Sequence, residues 1–207
     1  GTMRLAGVDI VTNEATITLD GSSSNLYSVA SGTTDALAGF TTNAATGSFT
    51  IQNGRNFTTA GAFSDAGTIT VGNGSTFNLT GNLTGSGSVV VSGGTLNVNA
   101  SGGYQLTGTT SITGGTLTAS GDLVNLSSGS LSPAGTMLSV TSTGSLSITG
   151  DLANLSGGAA LNVGGTLLAK SGTGTLSIGG NLLNLSGASS VTTGGPVLDL
   201  TNSTLSL

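Results

Sequence analysis

The feature that most constrains this chain is a repeat. Three segments carry it: Gly121-Asp122-Leu123-Val124-Asn125-Leu126-Ser127, Gly150-Asp151-Leu152-Ala153-Asn154-Leu155-Ser156 and Gly180-Asn181-Leu182-Leu183-Asn184-Leu185-Ser186. Their starts are offset by 29 and then by 30. Nearly the same offset relates Leu131, Leu161 and Val191, then Leu138, Leu168 and Leu198, then Leu146, Leu176 and Leu205. Four apolar clusters therefore recur in register through three units. A fixed period of this size marks a repeat architecture, in which one unit cannot bury its apolar face without its neighbours.

The clusters alternate, as in Leu146-Ser147-Ile148, Leu176-Ser177-Ile178 and Leu205-Ser206-Leu207. Alternation with period two is the mark of a strand with one buried face. The 37 glycines among 207 residues, set between Ser, Thr and Asn, read as tight turns between many short strands, and they disfavour helix almost everywhere. Only 5% of residues are charged and the mean hydropathy is +0.32, which is not the composition of a disordered chain. These observations predict an all-β fold, a parallel β-helix (β-solenoid) with coils of about 27–30 residues. Each strand would stack on its counterpart ~4.8 Å away, with Leu and Ile columns inside and Ser or Thr columns such as Ser147, Ser177 and Ser206 outside. A hairpin sandwich is the rival, but it does not require one register to persist through three units.

In the middle of the chain, Thr68-Ile69-Thr70-Val71 and Thr95-Leu96-Asn97-Val98 lie 27 apart, as do Phe77-Asn78-Leu79 and Tyr104-Gln105-Leu106, and both pairs read as successive coils. Residues 63–207 are thus expected to form regular coils. Residues 1–62, which carry most of the charges, are expected to form less regular coils of the same continuous domain, with an insertion around 30–45. About seven coils would make a rod roughly 35 Å long.

Ala66-Gly67-Thr68-Ile69-Thr70-Val71-Gly72-Asn73-Gly74-Ser75-Thr76-Phe77 and Gly94-Thr95-Leu96-Asn97-Val98 resemble secreted bacterial β-helix proteins, namely the filamentous haemagglutinin-like adhesins and autotransporter passenger domains. The likeness covers about residues 48–207 and is one of repeat style, not of a catalytic signature. It implies a right-handed β-helix at the cell surface or outside the cell, serving adhesion or forming a stalk.

Composition also limits the chemistry. There is no His and no Cys, which removes imidazole bases, thiol nucleophiles and disulfides. Three basic residues, Arg4, Arg55 and Lys170, against eight acidic ones give a net charge of −5, the wrong sign for nucleic acid or an anionic membrane. No apolar run approaches the ~18 residues of a membrane helix, so direct membrane insertion is not expected. No Walker loop, Gly-x-Ser-x-Gly elbow or calcium-binding nonapeptide occurs.

Two polar columns stand out. Asp122, Asp151 and Asn181 occupy one position of the repeat. Stacked carboxylates suit calcium or an acid/base pair. Asp and Asn share local backbone hydrogen bonding and not charge, so a turn-capping role is the expectation, with Asp122 and Asp151 kept as the candidate metal ligands. Asn125, Asn154 and Asn184 form the second column, expected at a corner, with amides bonding one another along the rod. Thr-x-Thr pairs (Thr16/Thr18, Thr68/Thr70, Thr116/Thr118) suggest the flat face of an ice-binding solenoid. Such a face needs pairs in consecutive coils, and the regular units offer Thr136, Thr166 and Pro196 without partners.

The sequence therefore points to a non-catalytic, extracellular or cell-surface segment without cofactor, structural or adhesive, part of a stalk or filament. A glycan- or surface-binding module is the second reading, and a polysaccharide-degrading β-helix enzyme the third. The chain stops in mid-repeat at Ser203-Thr204-Leu205-Ser206-Leu207. The expected partners are further coils of a longer chain, or copies of this one stacked end to end.

Overall fold

The computed structural model describes residues 2–7, 9–29, 34–99 and 103–206, and among them all regular structure is β-strand. The strands are short and obey the period-two rule. In Ser48–Gln52, for example, Phe49 and Ile51 are buried while Ser48, Thr50 and Gln52 are not. Gly and polar residues close each strand, and in the corner at Asn53-Gly54 both residues take positive φ, 56° and 88°. That geometry suits an Asn-Gly dipeptide and few others.

Successive turns of the chain stack as a parallel β-solenoid. The longest sheet joins eight strands in order, Thr16–Asp20, Ser48–Gln52, Thr68–Gly72, Ser88–Ser92, Thr110–Thr113, Leu138–Thr141, Leu168–Ser171 and Leu198–Thr201, and every pairing is parallel. Eight strands at ~4.8 Å span about 34 Å. A second face stacks Phe57–Thr58, Thr76–Leu79, Thr95–Val98, Thr116–Ala119, Ser145–Ile148 and Leu176–Ile178. A third stacks Thr12–Asn13, Thr42–Asn43, Phe63–Asp65, Leu83–Gly85 and Tyr104–Leu106.

Coil length follows the expectation in one half and departs from it in the other. From Thr110 successive coils begin at Leu138, Leu168 and Leu198, offsets of 28, 30 and 30. In the middle, Thr68 lies opposite Ser48 and Ser88, so the offset there is 20 and not 27. Thr68-Ile69-Thr70-Val71 and Thr95-Leu96-Asn97-Val98 are not equivalent, because Thr95 pairs with Thr76 on the second face. Nor are Phe77-Asn78-Leu79 and Tyr104-Gln105-Leu106, since Tyr104 pairs with Leu83 on the third. An offset of 27 is one coil plus one side. Alternating strands on neighbouring faces look alike, so the periodicity cannot tell a face from a coil.

The two coil types differ in their sides. The shorter coils have three strands and the longer ones four, because after Tyr104–Leu106 the third face gives way to two new stacks. One holds Val124–Leu126, Ala153–Leu155 and Leu183–Leu185; the other holds Ser130–Leu131, Ala160–Val163 and Ser190–Thr193. The join is made by an antiparallel bridge from Gly103 to Val124 and by the Tyr104 N–H donating to the Leu123 carbonyl at 2.8 Å. Tyr104 is fully buried at this seam, its hydroxyl bonded to Thr110. Leu123-Val124, Met137-Leu138, Leu152-Ala153 and Leu167-Leu168 put two neighbours inward together, which an alternating strand forbids. In the longer coils the chain bends at each of these pairs.

Near the N-terminus Thr2–Leu5 pairs in parallel with Asn25–Ser28, and Asn25–Ser28 pairs with Thr34–Asp35 antiparallel, the one antiparallel strand pair among the described residues. Part of the stretch around 30–45 expected as an insertion lies outside the described residues. All five phenylalanines fill the three-sided half. Phe40 sits 4.9 Å from Phe49 and 5.0 Å from Phe63, and Phe57 is 5.2 Å from both Phe49 and Phe77. The apolar filling of the four-sided half is Leu, Ile, Val, Ala and Met alone.

Leu168 is fully buried between Leu138 and Leu198, whereas Ser177 faces outward between Ser147 and Ser206. Leu168→Ala is expected to cost about 2–5 kcal/mol in urea unfolding as a core cavity. Ser177→Ala should cost less than ~0.5 kcal/mol. Equal costs would refute the inward and outward assignment.

Candidate functional site

The polar side chains of the repeat are joined from coil to coil. Asp122 and Asp151 precede the strands Val124–Leu126 and Ala153–Leu155 at the same corner. The Asp122 carboxylate accepts from the Asp151 N–H at 2.8 Å and from Asn154 Nδ2 at 2.8 Å. One coil on, Asp151 accepts from the Asn181 N–H at 2.6 Å, from Asn181 Nδ2 at 3.2 Å and from Asn184 Nδ2 at 2.9 Å. Each carboxylate thus caps the next coil, where local capping of its own turn was expected. Both oxygens of each Asp face N–H donors, whose positive ends are aimed where a cation would have to sit.

Asn125, Asn154 and Asn184 stand in register as one column, but not at a corner. Each is the central residue of a short strand, flanked in register by inward residues such as Ala153 and Leu155, and none has positive φ. The Nδ2 groups of Asn154 and Asn184 bond Asp122 and Asp151, so the two predicted columns interlock and do not form an amide-on-amide stack. Amide stacking occurs instead on the second face, where Asn97 Nδ2 donates to Asn78 Oδ1 at 2.8 Å and Asn78 Nδ2 to Thr58 Oγ1 at 3.2 Å.

Two features escaped the sequence reading. The first is a ladder at the edge of the third face. Asn13 Nδ2 donates to Asn43 Oδ1 at 2.9 Å, and Asn43 Nδ2 to Asp65 Oδ1 at 2.7 Å. All three residues are buried. The signal was present: Thr12-Asn13 and Thr42-Asn43 are 30 apart, and the Asn of each is followed by Ala within two positions. Burial raises the Asp65 pKa to about 6, against the opposing effect of its bonds from Asn43 and the Gly67 N–H. The second is Lys170, which shares the inward face of its strand with Leu168 and is 1% exposed. Its Nζ reaches the corner carbonyls of Ser171 at 2.9 Å and Gly172 at 3.1 Å, and burial lowers its pKa. The Leu-x-Lys alternation was the signal for it.

Outward hydroxyls form columns, as expected for Ser147, Ser177 and Ser206, and on two faces they also stand as pairs in consecutive coils, which was not expected. Thr16/Thr18, Ser48/Thr50 and Thr68/Thr70 lie in consecutive coils of the first face. On the second face Thr76/Asn78, Thr95/Asn97, Thr116/Thr118 and Ser145/Ser147 do the same. The corner residues Thr136, Thr166 and Pro196 were the wrong place to look for partners. A hollow of about 450 Å³ opens beside the strand Thr16–Asp20, lined by Met3, Leu5, Ile10, Ile17 and Leu26 among others. It is mainly apolar and holds one carboxylate, Glu14, with no basic side chain. Among the described residues no three His, Cys, Asp or Glu side chains gather.

No family model, curated protein or solved structure matches the chain.

The bonding pattern changes what substitution should do. Asn at 181 does not show that Asn is tolerated at 151, because no donor from a further described coil faces Asn181. In Asp151→Asn one carboxylate oxygen becomes a donor facing either the Asn181 donors or that of Asn184, and a loss of about 1–2 kcal/mol is expected in urea unfolding. Calcium should leave the melting temperature of the wild type unchanged. A calcium-dependent rise that disappears in the Asp122→Asn, Asp151→Asn double variant would restore these residues as metal ligands.

Proposed function

We propose that this chain is a non-catalytic, extracellular structural or adhesive β-solenoid segment, part of a surface stalk or filament. The observation that carries the reading is the commitment of its polar side chains to bonds within the rod. Asp122, Asp151, Asn154, Asn184, Asn13 and Asn43 all hold one coil to the next, and Lys170 ties down its own corner, which is the chemistry of a scaffold that maintains its own shape. A polysaccharide-degrading enzyme would need an acid and a base converging on a cleft, with room left on the carboxylates. The Asp122 and Asp151 carboxylates are engaged, and the hollow near Thr16–Asp20 offers Glu14 alone. The likeness to haemagglutinin-like adhesins and passenger domains in residues 48–207 agrees with a place outside the cell.

Partners follow from the same construction. A parallel strand at the end of a stack presents backbone groups that only a further strand can pair. The fitting partner is another coil, either from more of the same chain or from a second copy stacked end to end. The inward position held by the fully buried Leu155 is occupied one coil later by Leu185, which is 44% exposed. A second reading, a glycan- or surface-binding module, is favoured by the in-register hydroxyl and amide columns of the second face, which present a repeating set of donors and acceptors.

Antibody labelling of intact source cells tests the main reading. Surface staining that external protease removes is the expected result, and staining that appears only after lysis would overturn it. Co-sedimentation with insoluble polysaccharides tests the second. Binding there should fall at least severalfold when Thr116 and Thr118 are both changed to Ala, and equal binding by the variant would sink it.

A further inference from the structure

The Asn13–Asn43–Asp65 ladder contains a group that none of the foregoing uses. Asn13, Asn43 and Asp65 occupy one register column of the third face, and the next position is Gly85, where the ladder ends for want of a side chain. The first two rungs act alike. Asn13 Nδ2 donates to Asn43 and also to the Ser48 carbonyl of the next coil at 3.3 Å. Asn43 Nδ2 donates to Asp65 and to the Thr68 carbonyl of the next coil at 3.2 Å, with the Gly47 carbonyl at 3.4 Å. Each rung therefore points a hydrogen-bearing atom at main-chain carbonyls on the inner wall.

At the third rung the donor is missing. Asp65 is fully buried, and its Oδ1 is satisfied by Asn43 and by the Gly67 N–H at 3.2 Å. Its Oδ2 has no partner. That atom and another acceptor flank one point beside Gly87: a methyl group built there would lie 2.3 Å from Oδ2 and 2.7 Å from the Gly67 carbonyl oxygen. The three basic groups lie elsewhere, Arg4 in the strand Thr2–Leu5 opposite Tyr27, Arg55 with Asp35 and Lys170 with its own corner carbonyls. The titratable side chain whose ionisation is coupled to Asp65 is Tyr104, held as a neutral phenol by burial. A carboxylate here would be a buried anion with an unpartnered oxygen near the Gly67 carbonyl, a costly arrangement in a protein interior.

We propose that in mildly acidic solution Asp65 is a neutral carboxylic acid in the folded rod, its Oδ2–H donating to a main-chain carbonyl as the amides of Asn13 and Asn43 do, and that its ionisation toward neutral pH loosens the three-sided coils. The column then reads amide, amide, acid, with a donor on every rung. Deprotonation leaves the free carboxylate oxygen beside the Gly67 carbonyl oxygen, at the corner against which Gly87 of the next coil packs. The protein is in this respect an acid-stabilised rod. A carboxyl that keeps its proton longer when folded contributes stability that is complete below the unfolded value near 4 and is lost as pH rises through its folded value near 6. One proton's difference changes the unfolding constant about tenfold per pH unit across that window, or roughly a hundredfold in all.

Two measurements on the full chain test this. A carbon-13 NMR titration of wild-type side-chain carboxyls should show the Asp65 Cγ moving with a midpoint near 6, and a midpoint in the ordinary range near 4 would overturn the proposal. Urea unfolding of wild type and Asp65→Asn should be compared at pH 4 and pH 7. The variant supplies the amide of the other rungs, so it should remove most of the roughly hundredfold rise in the wild-type unfolding constant and be the more stable protein at pH 7. A variant that is less stable than wild type at pH 7, with the same pH dependence, would refute the proposal. If Asp65→Asn fails to fold, the proposal is likewise overturned, because an amide must fit where a neutral acid does.

Discussion

The structure depends on the parallel backbone hydrogen bond between one coil and the next. A strand this short cannot hold its conformation alone, and in a parallel arrangement it pairs only with strands a full coil away. Nearly every stretch of regular structure is therefore a long-range contact, and the chain has to be wound before any of it is stable. The eight-strand first face is the spine of this arrangement. It persists through the short coils and the long ones alike because the spacing between paired strands is set by the backbone, whatever length of chain lies between them.

Side chains follow the backbone into register. Once Thr76, Thr95, Thr116 and Ser145 are stacked, so are the residues two positions on, and like meets like every few ångströms up the rod. Apolar columns fill the interior without difficulty. Charges stacked at this spacing would repel, which fits a chain with few of them. Where carboxylates do occur in the repeat, as at Asp122 and Asp151, each is matched to amide donors of the following coil. Asp65, fully buried, has no such match on one oxygen.

The change from three sides to four divides the rod into halves with different interiors. The narrower half is plugged by five phenylalanines, the wider one by aliphatic side chains with paired inward residues at its bends. Tyr104 closes the seam, its ring in the core and its hydroxyl on Thr110. A scaffold reading accommodates this change, since a rod can alter its cross-section along its length without losing continuity of its first and second faces. The hydroxyl columns on those faces are what such a rod would display.

Much of the fold was legible in the residues. Leu138, Leu168 and Leu198 announce a coil, and Leu176-Ser177-Ile178 announces which residues turn inward, because both signals are local or repeat at a constant offset. The alignment of Asn125, Asn154 and Asn184 was legible for the same reason. Coil length in the middle was not, since Thr68-Ile69-Thr70-Val71 on one face and Thr95-Leu96-Asn97-Val98 on the next carry the same alternation. Nor could the sequence say that Asn154 bonds Asp122, or that Asp65 ends a buried ladder begun by Asn13. Alternation tells only which side of the strand a residue occupies. Which polar atom it meets there is decided by the coil stacked above it, and that registration exists only in the folded rod.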